Sequence, residues 1–131
     1  MRYALTVETG PRIVVFDVGG VITTTSRLAV NADHVTLAGQ TAPGKGIIVQ
    51  GHPFGLSGAS DVIFRHIKTR PGTVSGETID GMGMAGSNYC IFDRCSMVCP
   101  SYVYIYQLML VTNSQVLGLG NRRMLLFPQC L

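Results

Sequence analysis

The residues of this chain that could take part in chemistry are two carboxylates and a short row of cations. Asp80 opens the stretch Asp80-Gly81-Met82-Gly83-Met84, and Asp93 is followed by Arg94. A neighbouring cation favours the ionised form of a carboxyl group, so Asp93 is expected to be charged. Two simpler roles stay open for these residues. Asp80 fits the first position of an Asp-Gly turn, and Asp93 fits a strand-end turn or a structural ion pair.

The cations Arg65, Lys68 and Arg70 alternate with apolar residues and are predicted to project from one strand. There they would either contact an anionic substrate or cover a solvated face of the sheet. The three histidines have no mutual spacing typical of a metal site, and we assign them no role. The glycines of Gly44-Lys45-Gly46 are interpreted as turn residues, because the full phosphate-loop pattern is absent.

The cysteines do not indicate a zinc site. Cys90, Cys95, Cys99 and Cys130 fit none of the paired spacings that such sites use. Cys90 and Cys95 lie in an apolar, strand-like run and are predicted to be buried free thiols.

Composition places the chain among single globular domains. Its 131 residues, 47% hydrophobic and 13% charged, can form one compact core and are too apolar for intrinsic disorder. The net charge of +3 is scattered, so no basic stripe indicates nucleic-acid binding. No apolar stretch is long enough for a membrane span, and the first residues lack the apolar centre of a signal peptide.

Short apolar runs separated by glycine clusters predict an all-β chain. A polar turn residue precedes an apolar strand at Asp33, Ser60 and Ser87, a spacing of about 27 residues. This weak repeat favours a parallel β-helix, in which each coil stacks its strand on the equivalent strand of the next coil. A sandwich of antiparallel hairpins is the alternative, although Asp80-Gly81 is the one two-residue turn of the type it favours. The runs predicted as strands are Ile13–Phe16, Val21–Thr23, Val35–Leu37, Ile47–Val49, Val62–Phe64 and Cys90–Phe92.

Several segments closely resemble the pectate lyases of polysaccharide lyase family 1. The run Leu37-Ala38-Gly39-Gln40-Thr41-Ala42-Pro43-Gly44-Lys45-Gly46-Ile47 is the most specific of them. The resemblance covers about residues 2 to 97, in the family's order and spacing. Its other segments are Gly10 to Ile22, Ser60 to Gly72, Asp80 to Met84 and Phe92 to Ser96.

The resemblance implies a right-handed parallel β-helix, secretion, and calcium-dependent cleavage of polygalacturonate (pectin) by β-elimination. Asp80 matches an acidic position that looks like a calcium ligand in the family. Asp93 lies in the following coil, where the family often has Asp-His-Cys-Ser and this chain has Arg94 in place of the histidine. The resemblance therefore makes Asp80 and Asp93 candidate Ca²⁺ ligands. Arg65, Lys68 and Arg70 are the candidate contacts to the acidic polysaccharide.

After Met97 the resemblance stops, and residues 98–131 differ in character from residues 1–97. We interpret residues 1–97 as a partial pectate lyase-like β-helix, N-proximal in the enzyme, and residues 98–131 as an aberrant tail of intron-derived or frameshifted origin. The family's catalytic arginine and further acidic ligands have no counterpart here, so no catalytic residue is assigned. The chain by itself is expected to be inactive, and the complete protein is expected to be a monomer. A non-catalytic β-helix module that binds acidic polysaccharide is the alternative function.

Overall fold

A computed structural model of the protein describes residues 1–72, 82–99, 102–112, 115–117 and 123–125, with side chains in 1–72 and 82–98. Short strands dominate these ranges, and the one α-helix has five residues. No helix within them is long and apolar enough to cross a membrane. The elements are α1 (Arg2–Thr6), β1 (Arg12–Val15), β2 (Gly20–Thr23), β3 (Leu28–Val30), β4 (Val35–Ala38), a 3-10 helix (Gly39–Thr41), β5 (Ile47–Gln50), β6 (Phe54–Ser57), β7 (Ile63–Arg65), β8 (Ile67–Arg70), β9 (Gly83–Ala85), β10 (Cys90–Cys99), β11 (Tyr102–Thr112), β12 (Gln115–Leu117) and β13 (Arg123–Leu125).

The first ten strands form three parallel ladders. One ladder runs β1, β4, β7, β10; a second runs β2, β5, β8, β10; and the third runs β3, β6, β9. Each circuit of the chain therefore adds one strand to each ladder, which is the arrangement of a parallel β-helix. The prediction of an all-β, incomplete parallel β-helix is confirmed.

The weak sequence repeat corresponds to this stacking. The backbone N–H of Ser60 donates a hydrogen bond of 2.7 Å to the Asp33 carboxylate, a residue 27 positions earlier. Ser60 also forms a parallel bridge with Asn88, next to the third predicted repeat residue, Ser87. Polar turn residues thus satisfy one another's backbone groups from coil to coil.

The core consists of inward side chains stacked along the ladders. Leu37, Phe64 and Phe92 are in register on β4, β7 and β10, and each is fully buried. Phe64 also stacks on Phe54 of β6, with ring centroids 5.4 Å apart, and meets Phe92 edge-on at 5.4 Å. These aromatic contacts join two different ladders across the interior.

Helix α1 is absent from the sequence predictions. Five residues are too few for a helical apolar period, and a helix of that length is stable only through tertiary contacts. Here Leu5 is fully buried in the core cluster, and the Arg2 guanidinium donates to the carbonyls of Ser26 and Arg27 at 2.7 and 2.9 Å.

Beyond the parallel ladders the chain pairs differently. Strand β11 lies antiparallel to β10 along residues 90–99, and β12 and β13 pair antiparallel with β11. This change follows the point near Val98 where the sequence changes character. The interpretation of residues 98–131 as an aberrant tail stays a prediction.

Cys90 and Cys95 are buried and free, as predicted. Burial raises the pKa of Cys95 from its ordinary 9.0 to about 11, because the apolar surroundings disfavour the thiolate. The side chains of Cys99 and Cys130 lie outside the described part of the chain.

The Cys95 thiol predicts a loss of stability at alkaline pH. The folded protein holds the thiol proton more tightly than the unfolded chain, so this stabilisation is fully present below about pH 9 and is lost as the pH rises towards 11. A pKa shift of about two units corresponds to at most about 2 to 3 kcal/mol of unfolding free energy. Urea unfolding of the wild-type protein and of Cys95→Ala, at about pH 8 and about pH 10.5, checks this. The wild type should lose more stability between the two conditions than the variant, and equal losses would contradict the prediction.

Candidate functional site

Asp93 lies between two arginines on the outer surface of β10. Its Oδ2 atom is 3.6 Å from Nε of Arg65, and its Oδ1 atom is 3.9 Å from Nε of Arg94. The Asp93 side chain is 29% exposed, whereas the arginines are about half or more exposed. Partly solvated ion pairs of this kind contribute about 0.2 to 1 kcal/mol each. The structural ion pair considered from the sequence is therefore present.

The parallel register brings Arg65 to Asp93. Arg65 on β7 is directly paired with Asp93 on β10, and neighbouring strands lie about 4.8 Å apart. Arg94 comes next in the chain and adopts a left-handed backbone with φ 51°. His66 occupies the equivalent position one coil earlier, with φ 54°. At these two residues the chain bends from the first ladder into the second.

The prediction that Arg65, Lys68 and Arg70 project from one strand is wrong. Arg65 ends β7, whereas Lys68 and Arg70 belong to β8 in the second ladder. The left-handed His66 separates them, and the alternation of buried and exposed residues shifts by one position there, since the buried Phe64 and Ile67 are three residues apart.

Lys68 and Arg70 have different surroundings. The Lys68 ammonium donates to the carbonyl of Lys45 at 2.9 Å. The Arg70 guanidinium donates to the carbonyls of Thr69 and Ser96 at 2.7 and 2.9 Å, and to the Ser96 hydroxyl at 2.7 Å. Burial lowers the pKa of Arg70 below its ordinary value, and the group is a hydrogen-bonded link between β8 and β10.

Asp80 lies outside the described residues. Strand β9, which starts three positions after Asp80, belongs to the third ladder, whereas Asp93 lies on the first. Within residues 1–72 and 82–98 no group of three His, Cys, Asp or Glu side chains is placed to hold a metal ion.

The surroundings of Asp93 do not fit a Ca²⁺ site. Calcium requires six to eight oxygen ligands, and both oxygens of this carboxylate face a guanidinium instead. The two cations would also repel a divalent ion at that position. The assignment of Asp80 as a ligand stays a prediction.

A basic pocket of about 270 Å³ opens beside the bend at His66 and Arg94. Its charged and titratable lining residues are Lys45, His66, Lys68 and Arg94, and the described lining includes no carboxylate. Gly39, on the pocket wall, leaves no room for a side chain, because a Cβ there would lie 2.5 Å from the Arg65 carbonyl oxygen. We refer to this cavity as the basic pocket.

No sequence motif indicated this pocket. From the sequence, Lys45 belongs to a glycine turn, His66 has no assigned role, and Arg94 matters only as a neighbour of Asp93. The sequence feature that could have indicated the pocket is the recurrence of cations near the same position of successive coils.

The fold and the basic pocket define the class of protein as a parallel β-helix with a cationic pocket on its outer surface. Curated relatives carry the name of the enzymes that the sequence resembles. A "Probable pectate lyase C" of Aspergillus flavus is 48% identical over 86 residues, which are 66% of this chain and 20% of the relative. Proteins with the same name from Neosartorya fischeri and Aspergillus terreus are 48% and 45% identical over equal spans. The resemblance to pectate lyases is thereby confirmed.

The chain spans about a fifth of the length of the curated relatives it matches. A fragment-sized match of this kind agrees with the interpretation of residues 1–97 as part of a longer β-helix. No model of a known protein family matches the chain.

Proposed function

We propose that this chain forms early coils of a secreted, calcium-dependent pectate lyase that cleaves polygalacturonate by β-elimination. The observation that carries the proposal is the 45 to 48% identity to proteins named probable pectate lyase C, together with the parallel ladders that such a resemblance implies. Activity, substrate and secretion are attributed to the whole enzyme, of which the matched region is a fifth.

The C5 proton of galacturonate is weakly acidic, so its removal requires stabilisation of the negative charge that develops. Elimination transfers the C5 proton of a galacturonate ring to a basic group of the whole enzyme and forms a C4–C5 double bond. The oxygen at C4 leaves with the neighbouring sugar and takes up a proton from solvent. Bound Ca²⁺ would neutralise the uronate carboxylate and the charge that develops on it. We propose Asp80 as a calcium ligand, and we give Asp93 the separate role of linking two coils through its ion pair with Arg65.

A hybrid enzyme tests the proposal. Residues of this chain replace the 86 matching residues of the Aspergillus flavus relative, and the hybrid is assayed for ultraviolet-absorbing unsaturated products from polygalacturonate. We expect product release with Ca²⁺ and none with a chelator. A hybrid that folds with a cooperative melt but releases no product would contradict the proposal.

The variant Asp80→Asn in this hybrid tests the calcium ligand. Loss of a carboxylate ligand should weaken calcium binding, so half-maximal activity should require at least roughly tenfold more Ca²⁺. Asp61→Asn is the matched control, because Asp61 is exposed and pairs only with His34 among the described contacts, at 3.5 Å. An unchanged calcium requirement in Asp80→Asn would exclude Asp80 as a ligand. If both the Asp80→Asn and the Asp61→Asn hybrids bind polysaccharide and release no product, the result would instead support the non-catalytic module.

A further inference from the structure

The basic pocket is assembled from three successive coils. Lys45 lies two residues before β5, Lys68 lies on β8, and Arg94 lies at the bend of β10. Lys68 is in register with Ile48 on one side and with Ser96 on the other. Since stacked strands are about 4.8 Å apart, cations from neighbouring coils lie within reach of one small anion.

The cations of the pocket are incompletely neutralised within the described part of the protein. Lys68 is held by the Lys45 carbonyl, and an ammonium has three N–H groups, so two remain to donate. Arg94 approaches Asp93 no closer than 3.9 Å, and that carboxylate also faces Arg65. Three cationic side chains therefore surround a cavity with no carboxylate among its described lining residues, and Arg94 alone of the three has an ion-pair partner among the described contacts.

The backbone next to Lys45 leaves space for a ligand. Gly44 and Gly46 adopt left-handed conformations, with φ of 65° and 78°, and a Cβ on either would meet no atom within 4 Å. The loop is therefore open on that side. The volume of about 270 Å³ lies just below the range of about 300 to 1,000 Å³ that is usual for drug-sized ligands, so the cavity suits one small ring or anion.

We propose that the basic pocket binds the carboxylate of one uronate residue of an acidic oligosaccharide, independently of calcium. The anionic character of the ligand follows from the pocket's charge, whereas its identity as a uronate rests on the proposed function. Lys68 is the central contact, held in position by the Lys45 carbonyl. Lys45 and Arg94 provide the charges on either side.

Calorimetric titration of the complete 131-residue chain with trigalacturonate, in the presence of EDTA, tests this proposal. We expect binding that weakens roughly tenfold in Lys68→Met and in Lys45→Met, because each variant removes a charge-assisted contact. Arg27→Met is the matched control: it removes one charge from an exposed arginine outside the pocket and should bind like the wild type. Circular dichroism melts establish that all three variants are folded.

Ligand controls identify the chemistry that is recognised. Methyl-esterified trigalacturonate should not bind, because esterification removes the charge and leaves the sugar rings intact. Equally weakened trigalacturonate binding in Arg27→Met would show that overall charge determines the affinity, and it would overturn the pocket assignment. Inorganic phosphate that binds as tightly as trigalacturonate would overturn the uronate assignment. Absence of trigalacturonate binding to the folded wild type would overturn the proposal as a whole.

The outcome is separable from that of the hybrid enzyme. Chelator excludes calcium-mediated contacts, and the titration requires no elimination. An active hybrid, together with no trigalacturonate binding in the titration, would contradict the pocket proposal only. Binding by the 131-residue chain, together with an inactive hybrid, would contradict the lyase proposal and leave the pocket proposal intact.

Discussion

Replacing Gly55 by alanine is expected to destabilise the protein by about 3 kcal/mol or more, with loss of the folded state in a marginal background. Gly55 is buried on β6, in register with Gly83 on β9 of the next coil. A Cβ at Gly55 would lie 2.0 Å from the Gly83 carbonyl oxygen and 2.9 Å from its carbon. These are backbone atoms in a hydrogen-bonded ladder, so no side-chain rotation relieves the contact and the two coils must separate locally.

Gly83→Ala is the matched control, because it adds the same methyl group to the partner glycine. A Cβ at Gly83 meets no atom within 4 Å. Urea unfolding of both variants should therefore show a much lower midpoint for Gly55→Ala and a change of within about 0.5 kcal/mol for Gly83→Ala. Equal midpoints would show that the third ladder is not stacked as described.

Replacing Phe64 by alanine is the second large change, with an expected loss of about 3 to 5 kcal/mol. Phe64 is fully buried, stacks on Phe54 and meets Phe92 edge-on. Truncation removes both ring contacts and leaves a cavity between the first and third ladders, which packed β-strands cannot easily close. The change should also reduce the cooperativity of unfolding, because these rings link separate ladders.

Tyr3→Ala is the matched control, because it removes an aromatic ring that lies outside the core. Tyr3 is 63% exposed, so its removal should change the free energy of unfolding by less than about 1 kcal/mol. The loss of unfolding free energy in Phe64→Leu should lie between the losses in Phe64→Ala and Tyr3→Ala, since leucine keeps an apolar side chain in the core. A Phe64→Ala variant as stable as Tyr3→Ala would contradict the described core.

The sequence predicted the strands that carry β-branched or aromatic residues in unbroken runs. Five of the six predicted runs overlap β1, β2, β4, β5 and β7, and the sixth starts the longer β10. Within the parallel ladders, strands β3, β6 and β9 were not predicted, and β8 was interpreted as part of the strand that carries Arg65. Strands β3, β6 and β9 contain alanine or glycine, as in Phe54-Gly55-Leu56-Ser57, and such residues form strands here because the neighbouring coil supplies the hydrogen bonds and requires a small side chain.

Asp93 illustrates how far residue type predicts a site. Its pairing with a cation follows from the neighbouring Arg94, which the sequence places beside it. The contribution of Arg65 depends on the register between β7 and β10, which joins residues from different coils. One carboxylate oxygen therefore faces Arg65 because of the register, and the other faces Arg94 because of the sequence.

The sequence by itself determined the resemblance to pectate lyases, the all-β class and the repeat of about 27 residues, because these depend on residue types and on spacings along the chain. Only the tertiary structure decided that His66 and Arg94 bend the chain at equivalent positions, so that Arg65 and Lys68 lie on different ladders. It also decided that Lys45, Lys68 and Arg94 line one pocket. The physical reason is that proximity between coils depends on pairing between strands far apart in the sequence and on left-handed residues at the bends, and the residue types of one strand do not specify which strand of the next coil lies beside it.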